Sequence, residues 1–279
     1  MNEIRQESRE RWAGSASGWE ERADLLRRMT MPVSTWMVEA IAPQPGHTVL
    51  ELAAGPGDTG FLAAELIQPG GTLICSDLVP EMLSVAQRRA EALGLRNVRF
   101  RQFDAEAMDQ PAASLDGVLC RWGYMLMPDG EAALRETRRV LRPGGRLALA
   151  AWADPDANPW TTLAPRELVK RGRMEPPDRD APGQFAWAPE GKIAEQLDAA
   201  GFVEYQVEPL DFELRYPSVQ EWWETALDLA VRLRQAAATL SSQETAEVLD
   251  ALREAAAPWT AGDGSLAFPA RTWVAAASV

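Results

Sequence analysis

Apolar residues recur along this chain in two rhythms. Short apolar runs at 48–52, 72–76, 98–103, 116–119 and 147–152 have the length and β-branched content of strands. Between them the spacing becomes helical. Leu62 and Leu66 stand four apart, Leu83, Ala86, Ala90 and Leu93 form one stripe closed by Gly94, and Leu134, Thr137 and Leu141 share a face. Pro69-Gly70-Gly71 and Pro143-Gly144-Gly145 punctuate the alternation, and Pro80 suits a first helical turn. Strand alternating with helix predicts parallel pairing through right-handed crossovers, hence an α/β fold. The rhythm fails over 154–189, a Pro-rich stretch of the kind that forms a lid or binding loop. It resumes with a helix over 192–200, an extended segment over 203–214, helices over 219–239 and 242–257 (the latter capped by Ser241 or Ser242), and a final strand. Residues 1–40 read as amphipathic helix, with Pro32 dividing it into two. The expected organisation is an N-terminal helical lid (1–40), a core (41–217) with its loop insertion at 154–189, a helical cap insertion (218–258) and a last core strand (259–279).

The chemistry concentrates at 49–60, V-L-E-L-A-A-G-P-G-D-T-G, where a strand breaks into a glycine-rich turn before a helix. Gly55 and Gly57 allow a positive φ and a close ligand approach, and the helix's first N–H groups point at whatever lies above. Gly55, Gly57 and Gly60 with Asp77 fit the dinucleotide fingerprint, but S-adenosylmethionine (SAM) offers the same ribose hydroxyls. Three features favour SAM. Glu51 ends the first strand, where a carboxylate can engage an amino-acid moiety. Asp104 follows the third strand, placed for an adenine amine. L-R-P-G-G-R-L at 141–147 leads into another strand.

On these motifs the chain resembles the class I SAM-dependent methyltransferases, most of all the UbiE-type branch (methyltransferase type 11), tightly over 49–152. The resemblance implies a Rossmann-like, seven-stranded mixed sheet in the order 3-2-1-4-5-7-6, with helices on both faces and a helical cap. It implies SAM as methyl donor, leaving S-adenosylhomocysteine. Glu51, Ala53, Gly55 and Gly57 would hold the methionine part and Asp77 the ribose. Leu78 and Met82 would enclose the adenine, with Asp104 and Ala105 at its edge, and Cys120 would face the sulfonium through its carbonyl. Ala53 and Ala54 stand where the family often has Gly or Cys, and Ala fits if φ is negative.

The acceptor side rests on aromatic content. Of 11 tryptophans many lie outside the strands. Trp19, Trp122, Tyr124, Met127, Trp152 and Trp223 are the candidate lining of a pocket for a flat, aromatic or quinone-like molecule. Arg121 and Tyr124 are the candidates for orienting a phenolate or enolate, Arg121 alternatively pairing with a carboxylate instead. Methylation of carbon, oxygen or nitrogen stays open.

Charge and composition set the limits. A net charge of −13 disfavours nucleic acid as a partner. No apolar run approaches a membrane span, and the charged N-terminus lacks a signal core, so the expectation is a cytoplasmic protein acting on a small molecule. One histidine and two cysteines exclude a His/Cys metal site. His47 precedes the first strand, at the end away from the ligand, and Cys75 and Cys120, on strands separated by a third, are expected to be free thiols. Two other functions compete. An NAD(P)-dependent oxidoreductase would commonly place Tyr and Lys a helical turn apart, and none of the three tyrosines has that partner. A non-catalytic SAM-fold binding protein could instead use 1–40 and 218–257 for a homodimer interface.

Overall fold

The computed structural model describes residues 2–178 and 181–279. The helices are α1 (Asn2–Ala13), α2 (Ala16–Glu21), α3 (Ala23–Ile41), α4 (Asp58–Leu66), α5 (Pro80–Ala92), α6 (Gly130–Val140), α7 (Pro159–Lys170), α8 (Lys192–Ala199), α9 (Val219–Leu229), α10 (Val231–Ala237) and α11 (Ser242–Ala256). The strands are β1 (Thr48–Glu51), β2 (Thr72–Asp77), β3 (Val98–Gln102), β4 (Leu115–Arg121), β5 (Leu141–Trp152), β6 (Glu204–Tyr216) and β7 (Leu266–Ser278). They form one seven-stranded sheet, β3-β2-β1-β4-β5-β7-β6, parallel except where β7 runs against β5 and β6. This is the order that the resemblance implies. The parallel registers put Glu51 beside Cys75 and Leu119, so β1, β2 and β4 end at nearly one level. Ligand sites in open α/β sheets lie beyond such carboxyl ends.

The near-complete burial of β1, β2 and β4 follows from helices on both faces. Pro32 does not break α3, which continues through it to Ile41. Pro32 and Arg28, whose carbonyl loses its partner, face solvent, while Met29, Val33, Met37 and Ile41 are buried on the inner side. The stripe expected at Leu62 and Leu66 is also wrong. Leu66 is 53% exposed, and α4 packs through Phe61, Ala63 and Ala64. Leu93 likewise lies outside the stripe of α5, at 47% exposure. The helix expected over 219–239 divides at Ala230, and Ser241 caps α11 in a capping box with Glu244.

Residues 1–40 do not act as one unit. α3 packs against α4 and β5, whereas α1 and α2 meet α5, α9 and α10 over the ends of the strands. The junction is tight. A Cβ at Gly18 would lie 2.1 Å from the carbonyl oxygen of Asp228, and Arg22 pairs with both Asp228 and Glu221. Among the described residues no helix is long and apolar enough to cross a membrane.

Candidate active site

The turn after β1 is pinned on both sides. Leu52 N–H donates to the Leu119 carbonyl at 2.8 Å and Ala54 N–H to that of Ser76 at 2.9 Å. Between these anchors the backbone must double back, which it does at φ of +49° for Ala53, +52° for Gly55 and +88° for Gly57. Ala53 therefore departs from the negative φ expected of it, and a Cβ in this region costs about 1–2 kcal/mol. Space above Gly55 is open, since an added Cβ would meet nothing within 4 Å. Gly57 caps α4 below, where a Cβ would press 2.4 Å from the Phe61 ring.

Glu51 lies under this turn, buried and accepting the Gly60 N–H with one oxygen; its Oε2 has no hydrogen-bond partner among the described residues. Burial pushes its carboxyl up to about 8, against the Gly60 N–H and the attraction of Arg121. Arg121 is committed elsewhere. Its guanidinium lies 3.6 Å from Asp58, donates to Thr30 and, at 3.2 Å, to Ser34, and sits 4.9 Å from the Trp122 ring centre. Asp58 also binds Arg89 at 2.7 Å. Of the two readings of Arg121, the carboxylate-paired one describes its position, with the side chain still at the cavity wall. Asp77, at the tip of β2, accepts from Gly55 N–H and Val79 N–H, each at 2.9 Å. Burial raises its pKa, and the N–H groups of Gly55, Val79 and Leu78 oppose that rise. Two such bonds fix the carboxylate and leave lone pairs for a ligand's hydroxyls.

These groups open on a cavity of about 490 Å³. Of the residues singled out in the sequence, Glu51, Ala53, Gly55, Asp77, Leu78, Met82, Asp104, Ala105, Arg121, Trp19, Trp122, Met127 and Trp152 all line it. At one end Met82 packs with Val79, Ala16, Trp12 and Trp19, and Arg5 of α1 pairs with Asp104 at 3.2 Å and with Glu106. At the other, Trp122 and Trp152 stack at 4.2 Å and 12°, with Trp160 tilted against Trp152 at 5.0 Å. Trp122 holds this orientation at φ +60°, its indole N–H donating to Thr272 at 3.0 Å.

Four expected residues do not line the cavity, one of them Gly57, which caps α4 beneath the turn. Tyr124 turns inward from the short 3₁₀ turn after β4, fully buried, its hydroxyl 2.6 Å from that of Thr137 and its ring parallel to Trp187. Burial holds the phenol well above its ordinary pKa, and Tyr124 is not among the residues lining the cavity. Cys120 is also fully buried, its sulfur accepting the N–H groups of Tyr124 and Gly123, and Arg121 and Trp122 form the wall in its place. Trp223 faces the core. Its neighbour Trp222, about 100° away around α9, faces the cavity and donates to the Trp160 carbonyl at 2.7 Å. Sequence reasoning missed Trp160, Trp222, Tyr216, Met29 and Arg5 as lining residues. Adjacent tryptophans at 222 and 223 gave a signal for the helix but not for its rotation, and Arg5 gave none. Both cysteines are free and buried, and no group of three or more His, Cys, Asp or Glu among the described residues is arranged to hold a metal ion.

A methyltransferase-domain family model matches residues 49–145, from the start of β1 to the turn within β5. Nocamycin O-methyltransferase of Saccharothrix syringae is 31% identical over 198 residues, which cover 68% of this chain and 71% of that one. The ubiquinone/menaquinone biosynthesis C-methyltransferase UbiE of Cellvibrio japonicus is 30% identical over 176 residues, 60% of this chain and 71% of that protein. The chain belongs to the class I SAM-dependent methyltransferases, in the UbiE-type branch. Its fold superposes on the YcgJ protein of Bacillus subtilis with a TM-score of 0.59 at 22% identity, covering 88% of this chain and 97% of that one. The methyl donor of this methyltransferase is therefore SAM. The site fits that donor: a buried carboxylate oxygen without a partner suits an ammonium, and the open space over Gly55 admits a ligand against bare backbone.

Proposed function

We propose that this methyltransferase transfers the methyl group of SAM to a small, flat, apolar acceptor of phenolic or quinol type. The observation that carries the reading is the stacked pair Trp122–Trp152, which faces the same cavity as the Glu51–Asp77 elbow. Offset aromatic faces held 4.2 Å apart form a rigid wall that favours a planar partner.

In this reading Glu51 holds the donor's ammonium together with the turn at Ala53, Gly55 and Gly57. Asp77 takes the ribose hydroxyls, Leu78 and Met82 enclose the adenine, and Asp104 and Ala105 close its edge. Bound SAM supplies an electrophilic methyl group on a sulfonium. The chain's own contribution is to hold the acceptor in line and to keep water out, effects worth several kcal/mol without a catalytic side chain. Arg121, at the cavity wall, acts through its neighbours: it pairs with Asp58 and favours the ionised form of Glu51. Trp19 and Trp12, with ring centres 6.0 Å apart, close the cavity from the α1–α2 side.

The test is transfer of labelled methyl from SAM to a panel of hydroquinones, naphthols and catechols beside aliphatic alcohols and amines. Label should enter the flat hydroxylated compounds, and Trp152→Ala should reduce that transfer about tenfold or more while SAM still binds. Transfer to aliphatic acceptors alone, or indifference to Trp152→Ala, would overturn the reading.

A further inference from the structure

The charged groups lining the cavity are nearly all engaged, with two exceptions. Arg5 is held by Asp104 and Glu106, and Arg121 by Asp58. Arg11 of α1 and Arg232 of α10 also line the cavity, yet neither makes an ion pair or hydrogen bond among the described residues. They lie close together, on helices α1 and α10 that pack against each other, and Arg232 acts electrostatically on Arg11. Arg11 is half-buried there and Arg232 exposed at the rim. The two helices carrying them are fixed, since Arg234 donates to the Gly14 carbonyl at 2.7 Å and Val231 lies against Gly14. Burial and the neighbouring Arg232 lower the pKa of Arg11, only partly offset by exposed Glu7 one turn back. In a chain with 41 acidic side chains against 28 basic ones, two close cations without a carboxylate between them are conspicuous. Such a pair is destabilising when empty and becomes favourable when an anion sits between the guanidiniums.

We propose that the acceptor is amphiphilic: a flat apolar body against the tryptophan wall, carrying an anionic group (carboxylate, sulfonate or phosphate) that Arg11 and Arg232 hold at the cavity mouth. This rests on the reading of the tryptophan wall as the acceptor site and adds a charge requirement to it. The pair determines specificity; it takes no part in the chemistry.

Two fluorescent probes separate the parts. N-phenyl-1-naphthylamine is flat and neutral, and 8-anilinonaphthalene-1-sulfonate has the same skeleton with an anion added. Both are titrated into the SAM-loaded protein, with wild type, Arg11→Gln/Arg232→Gln, Arg11→Lys/Arg232→Lys and Trp152→Ala compared. Wild type should bind the sulfonate at least tenfold more tightly than the neutral probe. The double Gln variant should lose about 10- to 100-fold for the sulfonate and less than twofold for the neutral probe. The Lys variant should retain part of the preference, and added salt should weaken only the sulfonate. Unchanged sulfonate affinity in the double Gln variant, or equal weakening of both probes, overturns the inference and leaves the tryptophan site standing if Trp152→Ala releases the neutral probe. Failure of the neutral probe to bind at all, or to respond to Trp152→Ala, brings down the acceptor site itself.

Discussion

Replacing Glu51 with Gln should stabilise the ligand-free enzyme at neutral and alkaline pH while weakening SAM binding. The carboxyl is buried, has one oxygen without a partner, and titrates near 8 instead of 4.5. Its folded pKa is raised, so the unfolded chain ionises first and stability falls as pH rises from about 4.5 through 8. At about 1.36 kcal/mol per pH unit, the penalty is about 3 kcal/mol at pH 7 and approaches 5 kcal/mol above pH 9. Gln has the same shape and keeps an oxygen for the Gly60 N–H, though its amide N–H group is left without a partner at a cost of about 1–3 kcal/mol. The absolute gain is therefore small, whereas the pH slope is diagnostic. Between pH 5 and 8 the wild type should lose about 3 kcal/mol relative to Glu51→Gln, or roughly 6 °C in Tm, read by calorimetry on the ligand-free proteins. Groups common to both proteins cancel in the difference. With an ammonium seated on the ionised carboxylate, SAM affinity should also rise with pH up to about 8 in the wild type and not in the variant. Parallel Tm-against-pH curves for the two proteins would refute this account of Glu51.

Gly60→Ala should reduce SAM affinity at least tenfold, measured by titration calorimetry, because its Cβ would come 2.4 Å from Glu51 Oε2 and 3.1 Å from Leu73 Cδ1. Tyr124→Phe should leave methyl transfer within about twofold and cost about 1 kcal/mol of stability by denaturant titration, since its hydroxyl bonds Thr137 and not the cavity. Neither cysteine should react with an aromatic disulfide at pH 8 until the chain is unfolded: both are buried, and burial pushes the Cys120 thiol up to about 12.

The strands, the helices between them and the glycine elbow were legible because they rest on local signals: apolar runs of strand length, turn residues between them, and a motif whose glycines each answer a backbone demand. The sheet order came from the family resemblance that this motif carries. What the sequence concealed depended on rotation and on distant partners. Trp222 and Trp223 are equivalent in a hydropathy pattern, and only the docking of α9 decides which faces the cavity. Leu62 and Leu66 mark a helix correctly but misplace its inner face, because α4 is short and packs through small alanines beside Phe61. Tyr124 follows the correct strand, and the tight turn held by the Cys120 sulfur swings it into the core. Arg121 finds Asp58, and Arg5 finds Asp104, across sequence separations that no local pattern encodes. Ala53 occupies a left-handed position because neighbouring strands anchor both ends of its turn, a constraint visible only once the sheet has formed.

The most direct test of the site as a whole is titration calorimetry with SAM, S-adenosylhomocysteine and NADH on wild type and Asp77→Ala. Binding of both sulfur nucleotides in the micromolar range, weakened at least a hundredfold in the variant, with no heat from NADH, is the predicted result. NADH binding without SAM binding, or SAM affinity indifferent to Asp77, would contradict it.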